Sequence, residues 1–152
     1  MYLVIDQGTS STKGFLFKKN GEIFYEEKIK HRLHYLSKDH IECDANEILN
    51  ACKTLIANLA SLTNNSILSM GLSVQRSTFL FWDRKNIKPV TMALSWQDSS
   101  SKNIVEKIIE HSDWVYKKTG LPLSPHFGGP KYQKMIKDDP SLYKKIQNGE
   151  LI

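Results

Sequence analysis

The chain has 152 residues, of which 40% are hydrophobic and 24% are charged, a balance typical of one globular domain. Its formal net charge of +5 comes from lysines dispersed along the sequence, and no nucleic-acid-binding motif accompanies them. No apolar stretch approaches the ~20 residues that cross a bilayer, and no secretory leader pattern opens the chain. We therefore expect a cytoplasmic protein with no nucleic-acid or membrane partner, and reduced thiols at Cys43 and Cys52.

The chain opens with a predicted antiparallel meander. Apolar runs indicate three strands, Tyr2–Asp6, Thr12–Lys18 and Glu22–Lys30. Asn20-Gly21 joins the last two, because this dipeptide favours the tight turn of a β-hairpin. A polar connecting loop, His31–Glu42, is expected next. Its residues His31 and His34 are expected to be exposed, since no third metal ligand lies at a suitable spacing.

The turn between the first two strands carries the most informative residues of the chain. An acidic residue ends the first strand, small and hydroxyl residues follow, and a lysine comes after them: Asp6, Gly8, Thr9, Ser10 and Lys13. Successive backbone N–H groups in such a turn form a concavity that binds phosphate oxygens. Asp6 can hold Mg²⁺ through water, and Lys13 can neutralise phosphate charge. An ordinary hairpin turn is the alternative, and the chain contains no P-loop.

The middle of the chain is predicted to alternate helix and strand. Asp44 caps a helix with apolar residues at helical spacing, and Glu47 completes a capping box. Ile67–Val74 is expected to be a strand buried in a parallel or mixed sheet. A further strand, Thr78–Trp82, leads into the turn Asp83–Pro89.

The last third of the chain is predicted to be helical. Apolar spacing and helix breakers indicate four helices, Lys102–His111, Asp113–Lys118, Gly129–Lys137 and Ser141–Gln147. Four aspartates are assigned to turns and caps rather than to catalysis: Asp98, Asp113, Asp138 and Asp139. The order of elements predicts an α/β domain whose mixed sheet opens with the antiparallel meander.

Three segments, in chain order, resemble the FGGY family of carbohydrate kinases. The first is Asp6–Lys13. The second is the run G-L-S-V-Q-R-S-T at Gly71–Thr78, followed by Trp82-Asp83, Lys88-Pro89 and Leu94–Asp98; the third is Thr119–Phe127, followed by Lys131 and Gly149–Leu151. The resemblance spans nearly the whole chain. It implies the ribonuclease-H-like fold of actin and sugar kinases, with residues 1–152 forming an incomplete N-terminal domain and the nucleotide-binding domain absent.

The resemblance also implies roles for individual residues. It places Mg²⁺ near Asp6 and the transferred phosphate among four further residues, Gly8, Thr9, Ser10 and Lys13. Arg76 and Trp96 line the substrate pocket, where Arg76 donates to hydroxyls and Trp96 presents an apolar wall to the sugar. From the residues alone, a surface ion pair at Arg76 and a core tryptophan at Trp96 are the alternatives.

Two substrate-binding positions depart from the family's polyol-kinase pattern. Ser77 stands where that pattern has a glutamate, and His126 stands where it has a tyrosine. A site built to hydrogen-bond a hydroxyl discriminates strongly against partners that leave its groups unpaired. The two positions are still expected to contact substrate, but the identity of the sugar or polyol is left open.

The expected function is that of the substrate-side part of an ATP-dependent carbohydrate kinase, with ATP and Mg²⁺ as cofactors. The family's general-base aspartate has no match in this chain and is expected downstream, so these 152 residues alone are expected to be inactive. Phosphoryl transfer depends on positioning between two closing domains. A non-catalytic, ligand-sensing member of the same superfamily is the alternative, and homodimer formation is left open.

Overall fold

The computed structural model describes residues 1–64 and 66–152, which divide into two compact units. The first unit comprises Met1–Leu33 and Asp44–Arg76, and the second comprises His34–Cys43 and Ser77–Ile152. The strands, in chain order, are β1 (Tyr2–Gln7), β2 (Ser11–Phe17), β3 (Ile23–Lys30), β4 (Leu33–Tyr35), β5 (Ile41–Cys43), β6 (Ser69–Val74), β7 (Trp82–Asp83), β8 (Lys88–Pro89) and β9 (Ala93–Leu94). The helices are α1 (Ala45–Ser61), α2 (Lys102–Glu106), α3 (Ser112–Thr119), α4 (Gly128–Asp138) and α5 (Pro140–Gln147).

The first unit is built on a mixed sheet in the order β3-β2-β1-β6. β1 pairs with β2, and β2 with β3, in antiparallel orientation, so the predicted meander is confirmed. β6 pairs with β1 in parallel, with Asp6 opposite Ser73. The expectation that this strand is buried was wrong, because every residue of β6 is exposed. β6 is the edge strand, and α1 packs on the other three strands.

Helix α1 closes the core of the first unit. Its buried leucines, Leu55 and Leu59, pack with three residues of β1 and β2: Leu3, Ile5 and Leu16. Asp44 is the N-cap, and its carboxylate accepts a hydrogen bond from the Asn46 N–H at 2.7 Å, as predicted. The capping box was wrong, since the Glu47 carboxylate accepts the Arg32 N–H instead, at 3.1 Å.

The fit of α1 against β2 depends on the small size of Gly14. A Cβ atom at this position would lie 2.4 Å from Leu59 Cδ1 and 3.4 Å from Leu55 Cβ. We expect Gly14→Ala to lower the free energy of unfolding by about 1–3 kcal/mol, because overpacking forces the core to shift. Urea unfolding followed by circular dichroism measures this. Gly129→Ala is the matched control, since its Cβ meets nothing within 4 Å; an equal loss in both variants would contradict the prediction.

The second unit combines two small sheets with helices. One sheet has the order β4-β5-β9, and β7 and β8 form a separate hairpin. The predicted loop 31–42 was therefore wrong, because it contains β4 and the start of β5. The predicted strand Thr78–Trp82 was also wrong: Phe79 forms an isolated bridge to Leu94, and β7 begins only at Trp82. Strands this short lack the repeated alternation by which a strand is recognised in sequence.

The helices of the second unit follow the predicted order with different bounds. The predicted helix Lys102–His111 is divided into α2 and a 3₁₀ turn, Ile109–His111. Helix α3 ends at Gly120, whose φ of 70° lies in the left-handed region that glycine adopts freely. Asp139 caps α5 by accepting the Ser141 N–H at 2.9 Å, as predicted. No helix among the described residues is long and apolar enough to cross a membrane.

An aromatic cluster forms the core of the second unit. Phe81 is buried with Leu142 and Leu151. Tyr132 of α4 meets Phe81 edge-on, with ring centroids 5.8 Å apart, and Phe79 meets Phe81 in the same way at 5.3 Å. This cluster fixes α4 and α5 against the segment that follows β6.

Candidate functional site

The turn between β1 and β2 is a tight loop held by its own backbone. The Gly8 N–H donates to the Ser11 carbonyl at 3.0 Å, and the Gln7 side-chain amide donates to the Gly8 carbonyl at 2.6 Å. A Cβ at Gly8 would lie 3.1 Å from the Ser11 carbonyl oxygen, closer than a side chain tolerates easily. Gly8 and Thr9 are half-buried and Ser10 is exposed. The loop is therefore compact and open to a ligand, as phosphate binding requires.

Asp6 and Lys13 flank this loop from opposite strands. They lie opposite each other in the β1–β2 register, with Asp6 half-buried and Lys13 exposed. Within the described residues, no group of three His, Cys, Asp or Glu side chains could hold a metal ion. A lone carboxylate suits Mg²⁺, which keeps several waters and takes one or two carboxylates together with substrate phosphates. Asp6 thus fits the predicted Mg²⁺ role, which stays a prediction.

His31 lies against the turn of residues 8–10, which we call the phosphate loop after its predicted role, and the predicted exposure of His31 was wrong. The residue is only 9% exposed, and its backbone N–H donates to the Ser10 carbonyl at 3.2 Å. Burial lowers the pKa of His31, and the Glu47 carboxylate and the backbone of Gly8 and Ser11 oppose this effect. No local pattern in the sequence indicates this burial, because the contacts come from the distant residues Gly8, Ser10 and Ser11.

The lowered pKa of His31 predicts a pH-dependent stability. The unfolded chain, with a pKa near 6.5, binds more protons than the folded state between that value and the lower folded pKa. Stability is therefore lost as pH falls below 6.5. We expect the difference in unfolding free energy between the unmodified protein and His31→Gln to shrink as the pH falls from 6.5 towards the folded pKa of His31. Urea unfolding at several pH values measures it, with the exposed His111→Gln as control; the same slope in all three proteins would contradict the prediction.

Arg76 lies at the same edge of the first unit's sheet as the phosphate loop. β1 and β6 run parallel, so their carboxyl ends meet at one edge, with Gln7 opposite Val74. Just beyond them, the Gln75 N–H donates to the Gln7 carbonyl at 3.0 Å. Arg76 follows immediately, is exposed, and makes no salt bridge with any residue that the structure describes. Ligands of open α/β sheets bind at the carboxyl ends of strands.

Trp96 and His126 lie together in the second unit. His126 Nδ1 is 3.0 Å from the Trp96 carbonyl oxygen, and the two rings meet edge-to-face with centroids 5.8 Å apart. The Trp96 N–H donates to the Thr78 hydroxyl at 3.2 Å. Trp96 is 37% exposed, so the alternative of a core tryptophan was wrong. An exposed aromatic face beside an imidazole suits a sugar, which has an apolar C–H face and a rim of hydroxyls.

The sequence reasoning assigned no role to Lys131, which the structure buries beside these residues. Its ammonium donates to the carbonyls of Ser77 and Ser95, both at 2.7 Å, and the residue is 0% exposed. Burial lowers the pKa of Lys131 to about 8, and attraction to Asp98 partly offsets this. A single lysine on a helix normally indicates a solvated face. The one feature of the sequence that pointed to Lys131 was its position in the third segment that resembles the FGGY family.

Asp98 has the structural role predicted for it. Its carboxylate is buried, accepting the Ile41 N–H at 2.9 Å and the Ser100 N–H and hydroxyl at 3.1 and 2.7 Å. These bonds join the segment after Trp96 to β5. Because both carboxylate oxygens are buried and already accept hydrogen bonds, Asp98 is a poor candidate for a general base.

Comparison with known proteins agrees with the observed fold. Residues 1–152 match the N-terminal domain of the FGGY family of carbohydrate kinases. The chain is 32% identical to a glycerol kinase of Bacillus velezensis, over 99% of this chain and 31% of that enzyme. It is 31% identical to a glycerol kinase of Saccharopolyspora erythraea, over 97% of this chain and 31% of that enzyme. The chain thus spans about a third of the length of these relatives.

Solved structures show the same architecture. The crystal structure of Plasmodium falciparum glycerol kinase with ADP superposes on the whole chain with a TM-score of 0.92 at 27% identity, over 32% of that protein. A ligand-bound xylulose kinase from Lactobacillus acidophilus matches 93% of this chain and 29% of its own, with a TM-score of 0.81 at 23% identity, which supports the fold alone. The predicted sugar-kinase fold is confirmed, and the chain belongs to the FGGY family of carbohydrate kinases.

Proposed function

We propose that this chain is the N-terminal, substrate-side part of an ATP-dependent carbohydrate kinase that phosphorylates a hydroxyl of a sugar or polyol. The observation that carries the proposal is the shared edge of β1 and β6, which brings the phosphate loop and Arg76 to one end of the first unit's sheet. Family membership agrees with this reading. The cytoplasm is the proposed compartment. Whether the protein forms a homodimer is tested by size-exclusion chromatography.

The phosphate loop is proposed to hold the transferred phosphoryl group. Thr9 and Ser10 place backbone N–H and hydroxyl groups in an accessible turn, which Gly8 keeps tight by donating its N–H to the Ser11 carbonyl, and Lys13 adds a positive charge. Mg²⁺, when bound, neutralises negative charge that develops on the phosphoryl oxygens. Asp6 is the residue proposed to bind the ion through water.

Four residues are proposed to bind the acceptor: Arg76, Ser77, Trp96 and His126. Arg76 donates hydrogen bonds to acceptor hydroxyls, and Trp96 covers the apolar face of the sugar. Ser77 is half-buried and has a φ of 63°, an uncommon value for a residue other than glycine. Strained positions of this kind cluster at ligand sites. Ser77 and His126 are proposed to set which sugar or polyol is accepted.

We assign the general base to no residue of this chain. Asp98 is buried and accepts hydrogen bonds on both carboxylate oxygens, and Asp139 caps α5. Asp138 pairs with Lys134, and Asp113 lies in the first turn of α3. Phosphoryl transfer is therefore proposed for the protein that contains this chain, and the 152 residues by themselves are expected to show no turnover.

A coupled assay of ADP release, with Mg²⁺-ATP and a panel of polyols, aldoses and ketoses, tests the proposed function. It is run on the protein as its gene encodes it and, in parallel, on residues 1–152. We expect ADP release that depends on one acceptor, in the gene product and not in the shorter chain. Binding of an acceptor without ADP release would favour the ligand-sensing alternative, and acceptor-dependent release by residues 1–152 would overturn our assignment of the general base.

A further inference from the structure

Lys131 is the most deeply buried charged residue among those that the structure describes. It lies in the first half of α4 and is 0% exposed, whereas Lys134 and Lys137 of the same helix reach solvent. Removing an ammonium group from water is costly unless hydrogen bonds replace its hydration. A buried lysine therefore indicates that neighbouring backbone groups take the place of water around its ammonium.

The replacement bonds come from two separate segments of the second unit. Lys131 Nζ donates to the Ser77 carbonyl and to the Ser95 carbonyl, in each case at 2.7 Å. Hydrogen bonds from a charged donor are about twice as strong as neutral ones. Lys131 therefore ties α4 to a residue of left-handed backbone, Ser77, and to the fully buried residue that precedes Trp96.

We propose that Lys131 is a positioning residue, which fixes the Ser77 and Ser95 carbonyls and thereby holds Ser77 and Trp96 in place to bind the acceptor. This inference rests on the proposed function, since the acceptor roles of Ser77 and Trp96 belong to it. Lys131 itself is buried and touches these residues through their backbone, so no contact with the acceptor is assigned to it.

Two other ionisable groups act on the same place. Asp98 attracts the ammonium, and His126 lies against the ring and carbonyl of Trp96. With the pKa of Lys131 lowered to about 8, the side chain loses its proton within an accessible pH range. The neutral amine donates more weakly, so the two carbonyl contacts loosen as pH rises through this value. This titration supports the geometry and supplies a readout.

Fluorine NMR of 5-fluorotryptophan-labelled protein tests the inference without depending on turnover. Trp96→Phe assigns the Trp96 resonance, and Trp114, which is exposed on α3, serves as internal reference. We expect the Trp96 resonance to titrate with a midpoint near pH 8, including in a His126→Phe background, while that of Trp114 does not. This measurement needs no change at Lys131 itself.

Variants of Lys131 provide the second arm. Lys131→Met removes the charged donor from both carbonyls, of which that of Ser95 still accepts the Asp98 N–H. We expect this variant to shift the Trp96 resonance and to raise the acceptor KM by about 10–100-fold, with the KM for ATP unchanged. Lys131→Arg keeps a charged donor and is expected to recover part of this loss. Lys137→Met, on an exposed position of the same helix, is the matched control. Circular dichroism confirms that each variant is folded.

The outcomes separate the inference from the proposed function. A Trp96 resonance that neither titrates near pH 8 nor moves in folded Lys131→Met would overturn the positioning role. A titrating and shifted Trp96 resonance in a protein that phosphorylates no acceptor would support the positioning of Trp96 and overturn the proposed kinase function. A changed acceptor KM together with the NMR changes supports both.

Discussion

Replacing Asp6 with asparagine is expected to lower kcat by about 100-fold, the loss typical of a group that orients a bound metal ion. The carboxylate lies one residue before the end of β1, beside the phosphate loop, and is half-buried, opposite Lys13. Asparagine keeps the size and the hydrogen-bonding oxygen but removes the negative charge that attracts Mg²⁺ through water. The Mg²⁺ concentration that gives half-maximal rate should therefore rise, and excess Mg²⁺ should recover part of the activity.

Steady-state kinetics of the gene product at several Mg²⁺ concentrations measures this effect. Asp113→Asn is the control, because this exposed carboxylate lies in the first turn of α3 and has no part in the candidate site. If Asp6→Asn and Asp113→Asn retained the same kcat and the same dependence on Mg²⁺, the phosphate loop would not be the site of metal-assisted transfer.

Replacing Arg76 with methionine is expected to raise the acceptor KM by about 10–100-fold, the cost of losing hydrogen bonds from a charged donor. Arg76 is exposed at the carboxyl end of β6 and forms no salt bridge within the described part of the chain. Its guanidinium is therefore available to a ligand. Arg76→Lys should recover little, because a single ammonium cannot reproduce the planar fork of donors.

The KM for ATP is expected to change little in Arg76→Met, which distinguishes loss of the acceptor contact from damage to the fold. Arg84→Met is the matched control, since Arg84 is an exposed arginine in the turn between β7 and β8. Equal effects of Arg76→Met on the KM values of ATP and acceptor would contradict the assigned role.

The sequence predicted the parts of the fold that follow from local patterns. The β1–β2–β3 meander, the Asp44 cap and the Asp139 cap were confirmed, because alternation, a strong hairpin turn and capping chemistry act between residues close in the chain. The short strands β4 and β5 were missed because they lack such local patterns. Three residues contain too little alternation to be recognised, and their pairing depends on distant partners.

The sequence patterns did not predict which polar residues are buried. The bonds of Lys131 reach residues 54 and 36 positions away, and no local pattern predicts that a lysine is enclosed by such contacts. His31 is enclosed in the same way by the phosphate loop. The opposite error was made at β6, where an apolar run predicted burial but the strand lies exposed at the sheet edge. Hydropathy indicates whether a segment favours burial, but tertiary contacts determine whether it is buried.

The sequence predicted which residues belong to the candidate site but not how they are arranged. The turn residues and the order of motifs indicated phosphate and sugar binding, whereas the parallel pairing of β6 with β1, which brings Arg76 to the edge of the phosphate loop, required the structure. The exposure of Trp96 likewise excludes a core role, and its ligand-binding role stays a prediction.

Phosphorus NMR of the gene product with Mg²⁺-ATP and a mixture of polyols and sugars tests the central claim most directly. Our account predicts a new phosphomonoester resonance that grows in step with ADP and requires an acceptor. Both signals should grow about 100-fold more slowly in Asp6→Asn under the same conditions. ADP accompanied only by inorganic phosphate, or an unchanged ATP spectrum with every acceptor, would contradict phosphoryl transfer to a carbohydrate.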